Sequence, residues 1–224
     1  VGDSAKIIRT TDGGSNWTSQ IGGLGYTLYS VYCNDHNNGW AVGYLNNSPY
    51  YGMILKTTNG GISWSSQVNE ASLYSVYFAD NNTGWAVGYL SNSPYYGIIL
   101  KTTNSGISWS SQVNEVSLYS VNCADNMTGW AVGGSILKTT HGGTSWTSQA
   151  IHSGLYSVFF TAINTGWTVG DFGLILKTTN AATNWISQFC GPHPSLRPVH
   201  FEADNTGWSV GNLGSIIKPT NGGP

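Results

Sequence analysis

Two consecutive 45-residue segments, 44–88 and 89–133, are near copies that differ at seven positions: Asn46/Ser91, Met53/Ile98, Gly60/Ser105, Ala71/Val116, Tyr77/Asn122, Phe78/Cys123 and Asn82/Met127. Looser copies fill the remainder of the 224 residues. Self-similarity at a period of roughly 40–50 residues restricts a chain to solenoids, propellers and arrays, because each repeat buries its apolar face only against its neighbours. The repeat therefore constrains architecture far more than it constrains function.

Each repeat reads as four short strands. The first covers 73–78 (Leu-Tyr-Ser-Val-Tyr-Phe), with counterparts at 28–33, 118–123, 155–160 and 196–201. β-Branched and aromatic residues dominate it. The turn 80–84 that follows carries the Asp, Asn and Gly residues that accept left-handed and Asx-turn conformations. The second strand begins at Trp85 and recurs at Trp40, Trp130, Trp167 and Trp208; the third begins at Met53, with relatives at Ile7, Ile98, Ile136, Leu174 and Ile216. The fourth, 63–67, contains Trp64, matched by Trp17, Trp109, Trp146 and Trp185. Helical periodicity appears nowhere, so the expected class is all-β.

The most specific motif joins the third strand to the fourth. It reads Thr10-Thr11-Asp12-Gly13-Gly14-Ser15-Asn16-Trp17 and recurs at 57–64, 102–109, 139–146 and 178–185. An Asx side chain there can accept backbone amides of its own turn, while Gly supplies positive φ and Trp buries a large surface. Asn replaces Asp in three copies, His141 in one, and Ala181-Ala182 replace the glycines of the last, which puts the tightness of the later turns in question. The pattern Ser/Thr-x-Asp-x-Gly-x-x-Trp, in five registered copies along the whole chain, resembles the Asp-box (BNR) repeat of sialidases and of the photosystem assembly factor family. The resemblance implies a β-propeller whose boxes lie on the face away from the binding site, and hence a structural rather than catalytic Asp12.

Four strands per repeat point to propeller blades. The expected fold is a five-bladed β-propeller of four-stranded antiparallel blades, one domain over residues 1–224. In this reading 7–20 supplies the third and fourth strands that complete the blade begun by 196–211, closing the ring by pairing N- and C-terminal strands and removing exposed edges. The segment 216–219 is then a surplus third strand. The rival reading is a fragment of a six- to eight-bladed propeller.

On the face opposite the boxes two features stand out. The loop from Tyr44 to Tyr51 and its twin from Tyr89 to Tyr96 would display Tyr50, Tyr51, Tyr95 and Tyr96 beside Asn47, Asn92 and serines. Exposed Tyr with Asn and Ser forms a polar, adaptable recognition surface, and aromatic faces stack on sugar rings. The alternative is that the rings pack the loop on itself. The second feature is the irregular stretch 189–195, which contains His193, followed by Arg197 where other first strands carry Tyr; a lone cation there suits an anionic group, unless the last blade simply tolerates irregularity.

Other chemistries find little support. Charged residues make up 8% of the chain, with 8 Lys+Arg against 10 Asp+Glu, which argues against nucleic acid. There is no apolar run long enough for a membrane span. The only arginines are Arg9 and Arg197, too few for the arginine cluster of a sialidase-like site, and the basic patch used by the photosystem assembly family is missing. Glu70 and Glu115 occupy equivalent loops and can be paired as glycosidase carboxylates, but they are more simply one solvated residue, duplicated. The five histidines lack metal-ligand spacing, so neither metal nor cofactor is expected. Lys56, Lys101, Lys138 and Lys177 are expected to snorkel at blade edges. Cys33 and Cys123 share the position of Phe78, Phe160 and Phe201 and are expected as small buried hydrophobes; Cys190 is a candidate free thiol.

These observations lead to a non-enzymatic binding module that recognises a glycan or a surface protein through Tyr50, Tyr51, Tyr95, Tyr96, Asn47, Asn92, His193 and Arg197. Repeated sites would add multivalency. The alternative is a scaffold segment of a larger secreted or surface protein. The Asn/Ser/Thr/Gly-rich composition and the opening Val1-Gly2-Asp3 suit an extracellular or periplasmic chain that has lost a leader or belongs to something longer. Oligomeric state is left open.

Overall fold

The computed structural model describes residues 1–20, 25–45, 51–90, 96–150, 152–188, 195–203 and 206–218. They divide into two compact units, Val1–Ser117 and Leu118–Pro224. Unit 1 holds a two-stranded sheet of β1 (Ile7–Arg9) and β2 (Thr18–Gln20), then two four-stranded meanders. These are β3 (Tyr26–Cys33), β4 (Gly39–Leu45), β5 (Gly52–Thr57), β6 (Ser65–Asn69), and β7 (Ala71–Phe78), β8 (Gly84–Leu90), β9 (Gly97–Thr102), β10 (Ser110–Asn114). Unit 2 holds β11 (Leu118–Cys123), β12 (Gly129–Gly133), β13 (Ile136–Thr139), β14 (Thr147–Ala150), and β15 (Leu155–Phe160), β16 (Gly166–Gly170), β17 (Ile175–Thr178), β18 (Ile186–Ser187). A three-stranded sheet of β19 (Leu196–Ala203), β20 (Thr206–Gly211) and β21 (Ile216–Ile217) completes it. All pairings are antiparallel, and the only helical pieces among the described residues are two 3-10 turns, Asp171–Gly173 and Asn212–Gly214.

The all-β blades and their strand order agree with the sequence reading, with three corrections. Among the described residues the third-strand place of the last sheet, expected for the N-terminal strand, is held by β21, pairing Ile216 with Val210 and Ile217 with Ser209, while β1 pairs with β2. A hairpin of adjacent residues needs less loop closure than a pairing across the whole chain. The fourth strands begin one residue after their Trp, which closes the preceding turn instead of entering the ladder. Cys123 is buried as expected, but Cys33 is exposed.

The reason for that exposure lies in how blades pack. The second-strand Trp of one blade stacks on the first-strand Phe of the next: Trp40 on Phe78 at 3.6 Å, Trp130 on Phe160 at 3.5 Å and Trp167 on Phe201 at 3.7 Å, with planes within 15°. The same Phe receives the edge of its own blade's turn Trp, Trp109 on Phe78 at 5.9 Å and Trp185 on Phe160 at 6.0 Å. Cys33 occupies the Phe position, but β1 and β2 supply no second-strand Trp to cover it. Cross-strand lysines lie over the same indoles rather than at bare edges, 6.0 Å for Lys56 on Trp40 and 5.2 Å for Lys177 on Trp167. Serines knit neighbouring first strands: Ser30 accepts the amide of Val76, Ser120 that of Val158 and Ser157 that of Val199. The Gly that ends the Trp-Ala-Val-Gly runs of the first two meanders is sterically required, since a Cβ on Gly43 would lie 1.9 Å from the carbonyl oxygen of Thr27 and one on Gly88 1.8 Å from that of Ser72.

The Thr-x-Asx turns are organised by the Thr hydroxyl. Thr57 Oγ1 accepts the Gly61 amide at 2.8 Å and the Asn59 amide at 3.3 Å, and donates to Asn59 Oδ1 at 3.0 Å. Asn59 Oδ1 then accepts the Ser63 amide. Thr102 and Thr178 repeat this set, and Thr139 keeps its amide bonds although His141 replaces Asx. Ser105, Ala181 and Ala182 adopt φ of 60°, 57° and 65°, so the turn keeps its shape without glycine. The doubt over the later turns is thereby answered, at a conformational cost of about 1 kcal/mol per non-glycine residue.

Two outcomes follow from these bonds. Thr57→Val strands the buried Gly61 amide and should cost about 1–3 kcal/mol in chemical denaturation, whereas exposed Thr58→Val should stay within about 0.5 kcal/mol. The Asn16 amide, followed by the Asn16 side chain and the Thr10 hydroxyl, lowers the Asp12 carboxyl from 3.8 to about 2. A lowered folded value gives a contribution present above the unfolded value and lost as pH falls towards the folded one. The stability difference between the wild type and Asp12→Asn should therefore shrink between pH 3.8 and about 2 in acid titrations followed by circular dichroism.

Candidate functional site

Within a blade the two kinds of turn share one end. The third-to-fourth turn donates an amide to the first-to-second turn in four repeats: Gly60 to Asn37, Ser105 to Asn82, Gly142 to Met127 and Ala181 to Asn164. The opposite end carries the second-to-third loops, where the sequence placed the candidate residues. Of these, Tyr50, Tyr95, Asn47, Asn92 and His193 lie outside the described residues. Tyr51 and Tyr96 are exposed at 41% and 38%. Each anchors its loop base, with the Leu45 amide on the Tyr51 carbonyl at 2.7 Å and that of Leu90 on Tyr96 at 2.8 Å.

A β-bulge adds a set of residues that strand patterning missed. Pairing of β3 with β4 jumps from Leu28 to Ser30, and that of β7 with β8 from Leu73 to Ser75, leaving Tyr29 and Tyr74 as the extra residues. Bulges re-aim a side chain and recur beside functional sites. Tyr29 stacks on Tyr44 at 5.6 Å with its hydroxyl donating to that of Tyr44 at 3.3 Å; Tyr74 and Tyr89 do the same at 5.4 Å and 3.1 Å. Tyr29 and Tyr74 touch at 4.8 Å, so the four rings form one cluster at the bases of the two long loops. Burial, then the hydroxyl partner, pushes the phenols of Tyr29 and Tyr74 well above the ordinary 10.0. The signal in the sequence was the repeated Leu-Tyr-Ser, in which strict alternation does not decide which way Tyr faces.

Unit 2 repeats the bulge with different chemistry. The extra residue is Tyr119 in β11 and Tyr156 in β15, and the β19 irregularity contains Arg197. Tyr119 and Tyr156 are 5.6 Å apart, and the exposed Arg197 guanidinium lies 4.8 Å over the Tyr156 ring. Burial, then a hydrogen bond to Asp171, raises the Tyr156 phenol. Asp171 also accepts the Ser195 hydroxyl at 2.8 Å. The next residue, Phe172, has φ 55° and is 88% exposed; Leu213, in the matching turn of the following blade, has φ 60° and is 97% exposed. Left-handed apolar residues in water are costly and cluster at functional sites. Among the described residues no group of three or more His, Cys, Asp or Glu is placed to hold a metal. No helix of the described residues is long and apolar enough to cross a membrane.

This arrangement of four-stranded antiparallel blades is that of a β-propeller, and solved structures share it. No family model matches the sequence, and no curated protein matches it. An ancestral GH74 enzyme superposes with a TM-score of 0.66 at 14% identity, over 96% of this chain and 35% of that one. YCF48 from Cyanidioschyzon merolae superposes with a TM-score of 0.51 at 16% identity, over 87% and 82%. YCF48 bound to D1 peptide gives a TM-score of 0.48 at 19% identity, over 88% and 79%. The chain thus spans about a third of the GH74 enzyme. At these identities the likeness establishes the fold alone.

The raised phenols of Tyr29 and Tyr74 carry a sign: their contribution to stability is present below pH 10.0 and is lost as pH rises towards the folded values. In an alkaline spectrophotometric titration these two tyrosines should remain un-ionised above pH 10.0 until the chain unfolds, and Tyr74→Phe should remove one late-titrating phenol.

Proposed function

We propose that this chain is a non-enzymatic binding module that takes a glycan, or a segment of a surface protein, on the loop end of its blades. The observation that carries the reading is the cluster of Tyr29, Tyr44, Tyr74 and Tyr89, joined by ring stacking and hydroxyl bonds at the bases of the loops ending in Tyr51 and Tyr96. Tyrosine offers a rigid apolar face and a hydroxyl at little entropic cost, which suits recognition of sugar rings or peptide backbones. Tyr50, Tyr95, Asn47 and Asn92 belong to the same loops in sequence, and His193 and Arg197 extend the candidate set into unit 2. Two near-identical loops give repeated weak sites whose affinities combine. We read residues 1–224 as one propeller domain acting outside the cytoplasm, without a cofactor.

The second reading is a scaffold segment with no ligand of its own. A glycan-array screen of the wild type beside folded Tyr51→Ala/Tyr96→Ala and Tyr50→Ala/Tyr95→Ala variants separates the two. Binding by the wild type that falls about tenfold or more in the variants is the expected result. A wild type that binds nothing on the array and captures no surface protein would leave the scaffold reading standing.

A further inference from the structure

Arg197 stands at the position where the other four first strands carry tyrosine, and its setting in unit 2 is built rather than incidental. Its guanidinium lies 4.8 Å over the Tyr156 ring, a cation–π contact that limits its rotamers. Tyr156 is itself fixed by a hydrogen bond to Asp171, and Asp171 also holds Ser195, two residues before Arg197. Ser195 accepts the Asn212 amide at 3.2 Å through its carbonyl, so the turns bearing Phe172 and Leu213 are tied to one residue. Asp171 thus accepts the hydroxyls of both Tyr156 and Ser195, while the Arg197 guanidinium lies on the Tyr156 ring. Phe172, 88% exposed in a left-handed conformation, presents an open aromatic face one residue from Asp171.

A planar fork of donors matches a carboxylate, and an open aromatic ring matches the C–H face of a pyranose. We propose that unit 2 carries a recognition site for an acidic saccharide, in which Arg197 binds a uronate carboxylate and Phe172 stacks on an adjacent sugar ring. The proposal rests on the glycan-binding reading above and extends it from uncharged to acidic glycans: the tyrosine cluster of unit 1 contains no cation, whereas this site pairs aromatic rings with one. Asp171 is a positioning residue that holds Tyr156, and through it the stacked guanidinium.

The test is calorimetric titration with trigalacturonate and its methyl ester. Trigalacturonate should bind at least about tenfold more tightly than the ester. Arg197→Gln should bring it down to the level of the ester, and Arg197→Lys should recover only part of the loss because it keeps the charge without the fork. Phe172→Ala should weaken acid and ester alike, and because Phe172 is 88% exposed the variant should unfold thermally as the wild type does. Equal affinity for acid and ester, or an Arg197→Gln variant that binds as the wild type, overturns the proposal. If Arg197→Gln leaves saccharide binding intact while Tyr51→Ala/Tyr96→Ala abolishes it, the binding-module reading survives and this site fails. If no saccharide binds but an acidic peptide is lost on Arg197→Gln, the saccharide assignment is overturned in favour of a peptide site.

Discussion

The stack of a second-strand Trp on the first-strand Phe of the next blade is the contact on which each unit depends. Trp40, Trp130 and Trp167 are at most 1% exposed, and two of the phenylalanines they cover, Phe78 and Phe160, are themselves capped by the edges of turn tryptophans. Each aromatic buries on the order of 150–250 Å², so a few repeats of this contact outweigh what short strands achieve by pairing alone. The Thr-x-Asx turn serves the stack: it holds the turn Trp at the Phe edge, and in one repeat the Ser105 carbonyl accepts the Trp40 indole N–H at 3.1 Å. Cys33 shows the contact by its absence, because a first strand without a covering Trp leaves that position in water.

The inner ends of the first strands follow a second constraint. The bulge frees one residue per repeat from the ladder, and the serine after it accepts an amide from the next first strand. One device therefore fastens neighbouring blades and lifts a chosen side chain out of the alternation. Because the bulge recurs whatever residue occupies it, substitution there changes surface chemistry at small cost to the fold. Tyrosine gives an uncharged cluster in unit 1, and arginine gives a cation stacked on tyrosine in unit 2. A repeat protein gains variety in this way while its core stays the same.

Much of this was legible from residue order. The all-β class, the strand order, the boundaries of the first strands to within two residues at their N-terminal ends, and the structural character of Asp12 all follow from local pattern. The candidate site was legible only in part: Tyr51, Tyr96 and Arg197 were named, but Tyr29, Tyr44, Tyr74 and Tyr89 were not gathered into one cluster. A one-residue bulge shifts side chains between faces without changing composition, so period-two reasoning passes over it. Phe172 escaped notice because a short Gly-bounded loop says nothing about φ at the residue between the glycines.

Sequence alone determined the repeat, its four strands and the turn chemistry, since these depend on contacts within some 45 residues and on side-chain types that admit few conformations. Tertiary structure decided which strand sits beside β20, why Cys33 is exposed while Cys123 is buried, and which aromatic rings meet at the loop ends. Those outcomes depend on contacts between repeats, and near-identical repeats carry near-identical local signals whatever their neighbours are.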